Sequence, residues 1–307
     1  MEHSIKVVAG VLQNETGEIL LAQRPPGKPM PGRWEFPGGK IHNGEAPTEA
    51  LTRELREEMG IEVEQARALI RLHHDYPALS VDLDIYRVEK YSGEPQPLED
   101  QQLAWARSDA LSEWDLLEAD RPIVAALQLP DRCWVTPPFG GDAEAWLRQV
   151  DATLKSGIPM LQCRLETSAT KLARAVRGRC REQGTIFIWN GEAGTAEMLA
   201  ADGLHLSARE LMALETRPSA DGWIGASCHT EGEIRQANRL GLDYIFIGTV
   251  QATPSHPGGP TLGWEGFECL AGLSNLPAYA IGGMTVSDVE RVQALGGQGI
   301  AAIRSLM

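Results

Sequence analysis

The sequence predicts two domains, an α+β domain followed by a barrel built from eight β/α units. Its 307 residues are enough for two ordinary domains, and its hydrophobic content of 43% is typical of chains that bury a core. The spacing of the apolar segments changes around residues 130–134, and we interpret these residues as a linker. The predicted domains are therefore residues 1–129 and 135–307.

The first domain mixes strand-like and helical segments, which predicts a mixed sheet sandwiched by helices. Apolar, β-prone residues predict strands, alternation of apolar and acidic residues predicts another strand, and a run of prolines and glycines predicts a loop. In chain order, the predicted elements are strands at 6–12 and 19–22, a loop at 25–32, a helix at 46–59, a strand at 81–88 and a helix at 122–127.

The second domain alternates short apolar strands with helical segments at intervals of about twenty residues, which is typical of β/α units. The predicted strands lie at residues 134–135, 160–162, 186–189, 203–206, 223–227, 244–248, 278–281 and 300–303. Eight parallel strands in succession favour a TIM barrel over an open sheet. Only four residues follow the last predicted strand, so we expect the closing helix to be truncated.

Charge and composition exclude several classes of function. A net charge of −14 argues against binding to DNA or RNA, which requires a surplus of Lys and Arg. No apolar run is long enough to cross a membrane, and the first residues show no basic region followed by an apolar one, so we expect no signal peptide. The five cysteines show no paired spacing, so we expect reduced, mostly buried thiols in a cytoplasmic protein. The sequence does not indicate an oligomeric state.

An acidic helix carries the strongest chemical signal. Residues 39–61 read G-x5-E-x7-R-E-L-x-E-E-x-G-I. On a helix, residues three and four apart share a face, so Glu54, Glu57 and Glu58 are expected to project together. Three carboxylates repel one another unless a cation lies between them, and oxygen ligands suit Mg²⁺ or Mn²⁺. The sequence therefore predicts a divalent metal site on this helix.

Neighbouring residues are expected to support that helix. We expect Arg53 to pair with Glu45 or Glu54 and so to fix a carboxylate rotamer. Gly60 is predicted to end the helix as a left-handed glycine. Glu57 or Glu58 is the expected general base, and the sequence does not separate the base from a ligand.

This stretch is identified as a Nudix box, and residues 5–127 resemble the MutT-type Nudix hydrolases that remove oxidised guanine nucleotides. The resemblance is carried by Gln23-Arg24, by residues 34–41, by the box and by Gly93-Glu94-Pro95. It implies a Mg²⁺-dependent hydrolysis of a nucleoside triphosphate, such as 8-oxo-dGTP, to monophosphate and pyrophosphate. The implied metal ligands are the Gly38 carbonyl and the carboxylates of Glu54, Glu57, Glu58 and Glu99.

The same resemblance implies how substrate is bound. Arg24 matches an arginine that contacts substrate phosphate. Asp120 falls where the family has an Asn that reads the purine edge, and Asp can still accept hydrogen bonds from purine N–H groups. Leu79 stands where the family often has an arginine near the base. The resemblance is therefore weakest for the base preference.

Motifs at the predicted strand ends of the second domain resemble the thiamine-phosphate synthase superfamily, which includes the TenI-like thiazole tautomerases. They include Gln162-Cys163-Arg164, residues 201–206, residues 225–229, Ala252-Thr253-Pro254-Ser255 and residues 280–283. Carboxyl ends of barrel strands form the active site of this fold. The residues expected to bind a small phosphate there are Gln162, Arg164, Asn190, Ser227, Thr253, Gly282 and Gly283, although Gly282 and Gly283 could form only a turn.

Departures from the synthases point away from a diphosphate site. Gly191 stands where the synthases have a metal-binding Asp, and Glu166 and His256 stand where they have lysines. A diphosphate needs that counter-charge. Asp202 alone would be a poor magnesium site. His229 matches the acid/base histidine of the tautomerases, and a structural or vestigial histidine is the alternative.

Three functions follow as hypotheses. The first is a nucleotide-pool hydrolase with a degenerate or tautomerase-like barrel. The second is a bifunctional thiamine-pathway enzyme, in which the first domain cleaves diphosphates of thiamine precursors and the barrel is a thiazole tautomerase. In the third, the barrel is a binding module for a phosphorylated ligand.

Overall fold

The computed structural model describes residues 4–77, 79–253 and 258–307, which divide into two compact units, Met1–Leu129 and Pro130–Met307. The linker predicted at 130–134 is too long, because Arg132–Val135 already forms the first barrel strand. Cys133, Trp134 and Val135 are fully buried, which explains why these apolar residues join the barrel. The carbonyl of Asp131 also accepts a hydrogen bond from the Ile300 N–H at 2.9 Å.

The first unit contains two small sheets and two α-helices in its described residues. The strands are β1 (Ile5–Leu12), β2 (Glu18–Gln23), β3 (Trp34–Glu35), β4 (Gly38–Lys40), β5 (Glu62–Tyr76), β6 (Leu79–Ser92) and β7 (Gln102–Arg107), and the helices are α1 (Pro47–Met59) and α2 (Arg121–Gln128). One sheet has the order β4-β1-β6-β5 and the other β3-β2-β7. β1 pairs parallel with β6 and antiparallel with β4, so the predicted mixed sheet is confirmed.

The larger sheet is covered on both faces. Leu51, Leu55 and Met59 of α1 pack with Val8 and neighbouring residues on one side. Ile123, Val124 and Ala126 of α2 pack with the opposite face. The helix α1 ends at Gly60, whose φ of 68° is left-handed and whose N–H donates to the Arg56 carbonyl at 2.9 Å, as predicted.

The second unit is a closed barrel of parallel strands, which confirms the predicted fold class. Its strands are β8 (Arg132–Val135), β9 (Met160–Cys163), β10 (Ile186–Asn190), β11 (Gly203–Leu206), β12 (Trp223–Cys228), β13 (Tyr244–Gly248), β14 (Ala278–Ile281) and β15 (Gly299–Ala302). The helices that follow the first seven strands are α3 (Ala143–Lys155), α4 (Thr170–Gln183), α5 (Ala193–Met198), α6 (Ala208–Ala213), α7 (Glu231–Leu240), α8 (Gly263–Ala271) and α9 (Val289–Ala294). Residues 303–307 form turns rather than a helix after β15.

Two further sequence expectations can be compared with this fold. Cys133, Cys163, Cys180 and Cys228 are free and buried, and Cys269 is free and exposed. In the described part of the chain, the helices are all too short or too polar to span a bilayer.

Candidate functional site

The helix α1 presents its glutamates unequally. The side chains of Glu54 and Glu58 are only 14% and 12% exposed, whereas that of Glu57 is 57% exposed. The expectation that all three converge is therefore only partly met. A helix turns by about 100° per residue, so Glu57 and Glu58 diverge around its axis while Glu54 and Glu58 stay nearly in line.

Arg53 organises the outer half of the acidic cluster. Its guanidinium donates to Glu45 Oε1 at 2.8 Å, to Glu54 Oε1 at 2.7 Å and to Glu57 Oε2 at 3.3 Å. It also donates to the Lys40 carbonyl at 2.9 Å, which ties α1 to β4. The hydrogen bond from Arg53 lowers the pKa of Glu45 to about 2. The predicted pairing of Arg53 with Glu45 or Glu54 is confirmed for both partners.

Two glycines let β4 approach the helix. A Cβ on Gly39 would lie 2.3 Å from Glu54 Oε2, so the carboxylate of Glu54 rests directly on the glycine. Gly38 has a φ of 152°, and a Cβ there would lie 2.1 Å from the Val8 carbonyl oxygen. The Gly38 N–H donates to Glu58 Oε2 at 3.3 Å. The strand thus delivers backbone groups to both inward carboxylates.

The carboxyl group of Glu58 is buried among the other charged groups of the cluster. Burial raises its pKa to about 7, although the charge of Lys28 acts in the opposite direction. The charges of Glu99, Glu35 and Glu54 add to the effect of burial. Glu99 is held beside Glu58, because Gln101 accepts from the Glu99 N–H at 2.7 Å and donates to the Glu58 carbonyl at 2.8 Å. Sequence reasoning missed Gln101, which is buried and was hidden in a segment without periodicity.

The donor set fits a hard divalent cation, although it is not assembled around one. Within the described residues, no group of three or more His, Cys, Asp and Glu side chains stands ready to hold a metal ion. Instead, Arg53 engages Glu54 and Glu57, while Lys28 Nζ lies 3.0 Å from Glu99 Oε2 and 3.6 Å from Glu58 Oε1. The donors are carboxylate and carbonyl oxygens, which are the ligands that Mg²⁺ and Mn²⁺ prefer.

The expected substrate residues lie on the neighbouring strands and turns. Arg24 forms an ion pair with Glu35 and donates through Nε to the Pro29 carbonyl at 2.7 Å, so it is engaged within the protein. Asp120 is only 3% exposed, and its Oδ2 accepts from the Phe36 N–H at 3.4 Å. Burial, reinforced by the charge of Glu35, raises the pKa of Asp120 well above its usual range. Leu79 is exposed at the start of β6.

In the second unit, the predicted barrel residues come together at one cavity of about 440 Å³ at the carboxyl ends of the strands. All eight of them line it: Gln162, Arg164, Asn190, Ser227, His229, Thr253, Gly282 and Gly283. Of the predicted motif after β13, Pro254 and Ser255 lie outside the described residues, and so does His256.

The charge of this cavity suits an anion. Arg164 and Arg304 line it, and no Asp or Glu is among its lining residues in the described part of the chain. Gly282 and Gly283 have φ values of 99° and 71°, and a Cβ on either would clash with the segment after β13. This close, side-chain-free backbone is suited to approach by a phosphate group.

Asp202 does not line this cavity, although its motif was expected at the carboxyl end of a strand. It precedes β11, at the amino end of the strand, whereas the cavity lies at the carboxyl ends. Its carboxylate accepts from the Phe187 N–H at 2.8 Å and from Arg177 Nη2 at 2.8 Å. Asp202 is therefore a structural residue that joins β10, β11 and α4.

One histidine lines the cavity and a second is buried within the barrel. His229 Nδ1 donates to the Gly248 carbonyl, which leaves Nε2 as the nitrogen that can exchange a proton. His205, which the motif contained without a role, is buried inside the barrel and contacts Ser227 Oγ at 2.9 Å and the Tyr244 hydroxyl at 3.2 Å. Burial, aided by the charge of Arg164, lowers the pKa of His205 to about 3, so it is neutral at physiological pH.

Comparison with known protein families covers nearly the whole chain. Residues 133–306 match a family model described as thiamine monophosphate synthase. Residues 8–126 match a model described as a NUDIX domain. The two matches fall within the two compact units and meet between residues 126 and 133.

Individual relatives divide in the same way. A thiamine-phosphate synthase of a Synechococcus strain is 32% identical over 57% of this chain, which covers only 52% of that relative. A thiamine-phosphate synthase of Thermus thermophilus is 31% identical over 56% of this chain and 86% of its own length. An 8-oxo-dGTP diphosphatase of Escherichia coli is 34% identical over 40% of this chain and 96% of its own length.

Proposed function

Because the chain belongs to the thiamine monophosphate synthase family and carries a NUDIX domain, we propose that its first unit is a divalent-metal-dependent pyrophosphohydrolase. The single observation that carries this proposal is the inward pair Glu54 and Glu58, held against Gly39 and Gly38 beside Glu99. The substrate that we propose is an oxidised purine nucleoside triphosphate, with 8-oxo-dGTP as the representative.

The chain supplies the oxygen ligands for the metal. Glu54, Glu58, Glu99 and the Gly38 carbonyl would hold Mg²⁺, and Glu57 could join them from the helix edge. A bound Mg²⁺ would polarise a phosphorus and lower the pKa of a water. Arg53 keeps Glu54 in place through the 2.7 Å hydrogen bond.

Glu58 is the best general base among the three glutamates of α1. Its Oε2 accepts a hydrogen bond from the Gly38 N–H at 3.3 Å, and its burial holds the carboxylate at the strand glycines in a position to accept a proton from water. The attacking water forms a bond to phosphorus, its proton passes to Glu58, and the bridging oxygen leaves with pyrophosphate. A nucleoside monophosphate remains.

Asp120 supports a purine with an altered edge. A neutral carboxylic acid offers one O–H donor and one carbonyl acceptor, which is the pattern of an amide. Burial favours the neutral form of Asp120, so it can present both groups to a base. An oxidised guanine has a carbonyl acceptor and an additional N–H donor on the purine edge that Asp120 is expected to read. These two groups are complementary to the O–H and the carbonyl of a neutral Asp120, which is why we propose an oxidised purine as the substrate.

A panel of substrates tests this proposal. Full-length protein with Mg²⁺ should release pyrophosphate from 8-oxo-dGTP faster than from dGTP, and faster than it cleaves the diphosphates of thiamine precursors. Faster cleavage of the thiamine precursors would instead support the bifunctional thiamine-pathway enzyme, whose second activity lies in the barrel.

For the barrel, we propose a site for a small phosphorylated ligand such as a thiazole phosphate. The supporting observation is that its cavity offers Arg164, Arg304 and glycine backbone but no carboxylate among its described lining residues. The described lining residues therefore offer no carboxylate to a magnesium ion bound with a diphosphate, whereas a monophosphate needs only cations and N–H groups.

His229 decides between catalysis and binding alone. If the barrel is a tautomerase, His229→Ala should abolish proton exchange on a thiazole phosphate while binding persists. If the barrel is a binding module, calorimetry should detect the ligand with no turnover in the wild type. Absence of binding to the wild type would contradict both versions.

A further inference from the structure

The loop between β2 and β3 places a lysine against the acidic cluster. Lys28 Nζ lies 3.0 Å from Glu99 Oε2 and 3.6 Å from Glu58 Oε1. The lysine side chain is 42% exposed, whereas that of Glu58 is 12% exposed. A solvent-accessible cation thus neutralises a buried carboxylate.

The loop is folded in a way that brings Lys28 to this position. The Lys28 N–H donates to the Pro25 carbonyl at 3.3 Å, and Gly27 between them has a φ of 101°. Arg24 Nε donates to the Pro29 carbonyl at 2.7 Å on the other side of the lysine. Lys28 therefore sits on a turn that is anchored by the arginine expected to meet substrate phosphate.

The two carboxylates are the fixed side of this contact. Glu58 extends from the last turn of α1 and accepts from the Gly38 N–H, while Glu99 is held through Gln101. Lys28 has a long flexible stem that reaches them from solvent. An ion pair of this exposure adds little to folding stability, so stability alone does not account for its placement.

We propose that the Lys28 ammonium competes with the divalent cation for Glu58 and Glu99, and that it turns to the phosphates of the nucleotide once those carboxylates are bound to metal. The inference rests on the proposed function, because it takes the acidic cluster as the metal site. The physical basis is that Glu58 and Glu99 cannot fully serve two cations, and that a displaced ammonium beside a triphosphate finds a new anionic partner.

Binding of Mn²⁺ to the full-length protein without nucleotide, followed by electron paramagnetic resonance, tests the competition. Lys28→Met should bind Mn²⁺ about fivefold more tightly than the wild type, since it removes a competing cation. Lys6→Met is the matched control, because Lys6 is an exposed lysine of β1 and its loss changes the net charge equally. It should bind like the wild type.

The second measurement tests the release of Lys28 toward substrate. At saturating Mn²⁺, Lys28→Met should bind a dGTP analogue with a methylene between the first two phosphorus atoms about fivefold more weakly. Equal Mn²⁺ affinity of Lys28→Met and wild type would overturn the competition. Equal affinity for the analogue would overturn the transfer to phosphate. A wild type that binds no Mn²⁺ would instead refute the metal site and hence the proposed function.

Discussion

At the scale of single residues, burial decides which carboxyl groups can carry charge. Asp120 and Glu58 are both nearly enclosed by protein, and desolvation is the largest cause of the raised pKa of each. Neighbouring carboxylates add to the effect, because Glu35 acts on both residues. An acid held neutral in the folded state can donate a hydrogen bond, but it also makes stability depend on pH.

The first prediction concerns Asp120→Asn and the pH dependence of folding. The folded-state pKa of Asp120 is raised above its ordinary value of 3.8, so the unfolded chain releases a proton that the folded chain retains as pH rises past that value. The wild type should therefore lose stability relative to Asp120→Asn as pH increases, with the two alike in more acidic solution. Urea unfolding between about pH 4 and pH 8 measures the gap. If the difference in free energy of unfolding between Asp120→Asn and the wild type became smaller toward high pH, Asp120 would be charged in the folded state.

At the scale of elements, the contact between β4 and α1 sets the geometry of the proposed metal site. Gly38 and Gly39 are adjacent, but a side chain added at each position would meet a different kind of atom. A side chain at Gly38 would meet the backbone of β1, whereas one at Gly39 would meet the terminal carboxylate of Glu54. A carboxylate can swing aside, but a paired strand cannot.

The second prediction separates these two glycines. Gly39→Ala should lower pyrophosphate release roughly 100-fold by displacing Glu54, while the free energy of unfolding changes by no more than about 1 kcal/mol. Gly38→Ala should destabilise by about 3 kcal/mol or more, because a Cβ would stand 2.1 Å from the Val8 carbonyl at an unfavourable φ. Activity assays and denaturant unfolding on both variants test this. An active Gly39→Ala protein would mean that Glu54 does not need its present position.

The third prediction concerns the strand ends of the barrel. Arg164 follows β9 and Arg304 follows β15, and both line the cavity. Arg164→Gln and Arg304→Gln should each weaken the binding of a thiazole phosphate about tenfold, because each removes a charged hydrogen-bond donor to phosphate. Arg148→Gln, on the exposed side of α3, is the control. Calorimetry that gives equal affinities for all three variants would contradict a phosphate site here.

Much of the element order was predictable from the sequence, and particular residues show why some of it was not. Apolar runs such as Ile186–Asn190 predict a barrel strand, because a strand that is covered on both faces is apolar along most of its length. The strand Glu62–Tyr76 was missed, because polar and charged residues occupy most of its length and many are exposed on both faces. β3 and β4 were missed because they are only two and three residues long.

At the scale of the whole molecule, the chain carries two proposed sites, one on each of two compact units. All eight barrel residues that the sequence predicted line one cavity, because the carboxyl ends of parallel barrel strands lie at the same end of the barrel. The sequence did not reveal that Arg24 pairs with Glu35, because that ion pair joins two segments that only tertiary packing brings together. Lys28 was missed for the same reason.

The fourth prediction follows from this division. A fragment of residues 1–129 should fold and retain a kcat/KM for 8-oxo-dGTP within about twofold of the full chain, because its core and its proposed metal ligands lie within that range. Pyrophosphate release by the fragment and by the full-length protein gives the comparison. A folded fragment without activity would show that the barrel contributes to hydrolysis.

The most direct test of the central claim is Mg²⁺-dependent pyrophosphate release from 8-oxo-dGTP by the wild type and by Glu58→Gln. We expect release only when Mg²⁺ is present, and a fall in kcat of roughly 10² to 10⁴ in the variant. Glu113→Gln removes an exposed glutamate of the same unit and should behave like the wild type. Release at equal rates by Glu58→Gln and wild type, or equal release without Mg²⁺, would contradict the account of this acidic helix.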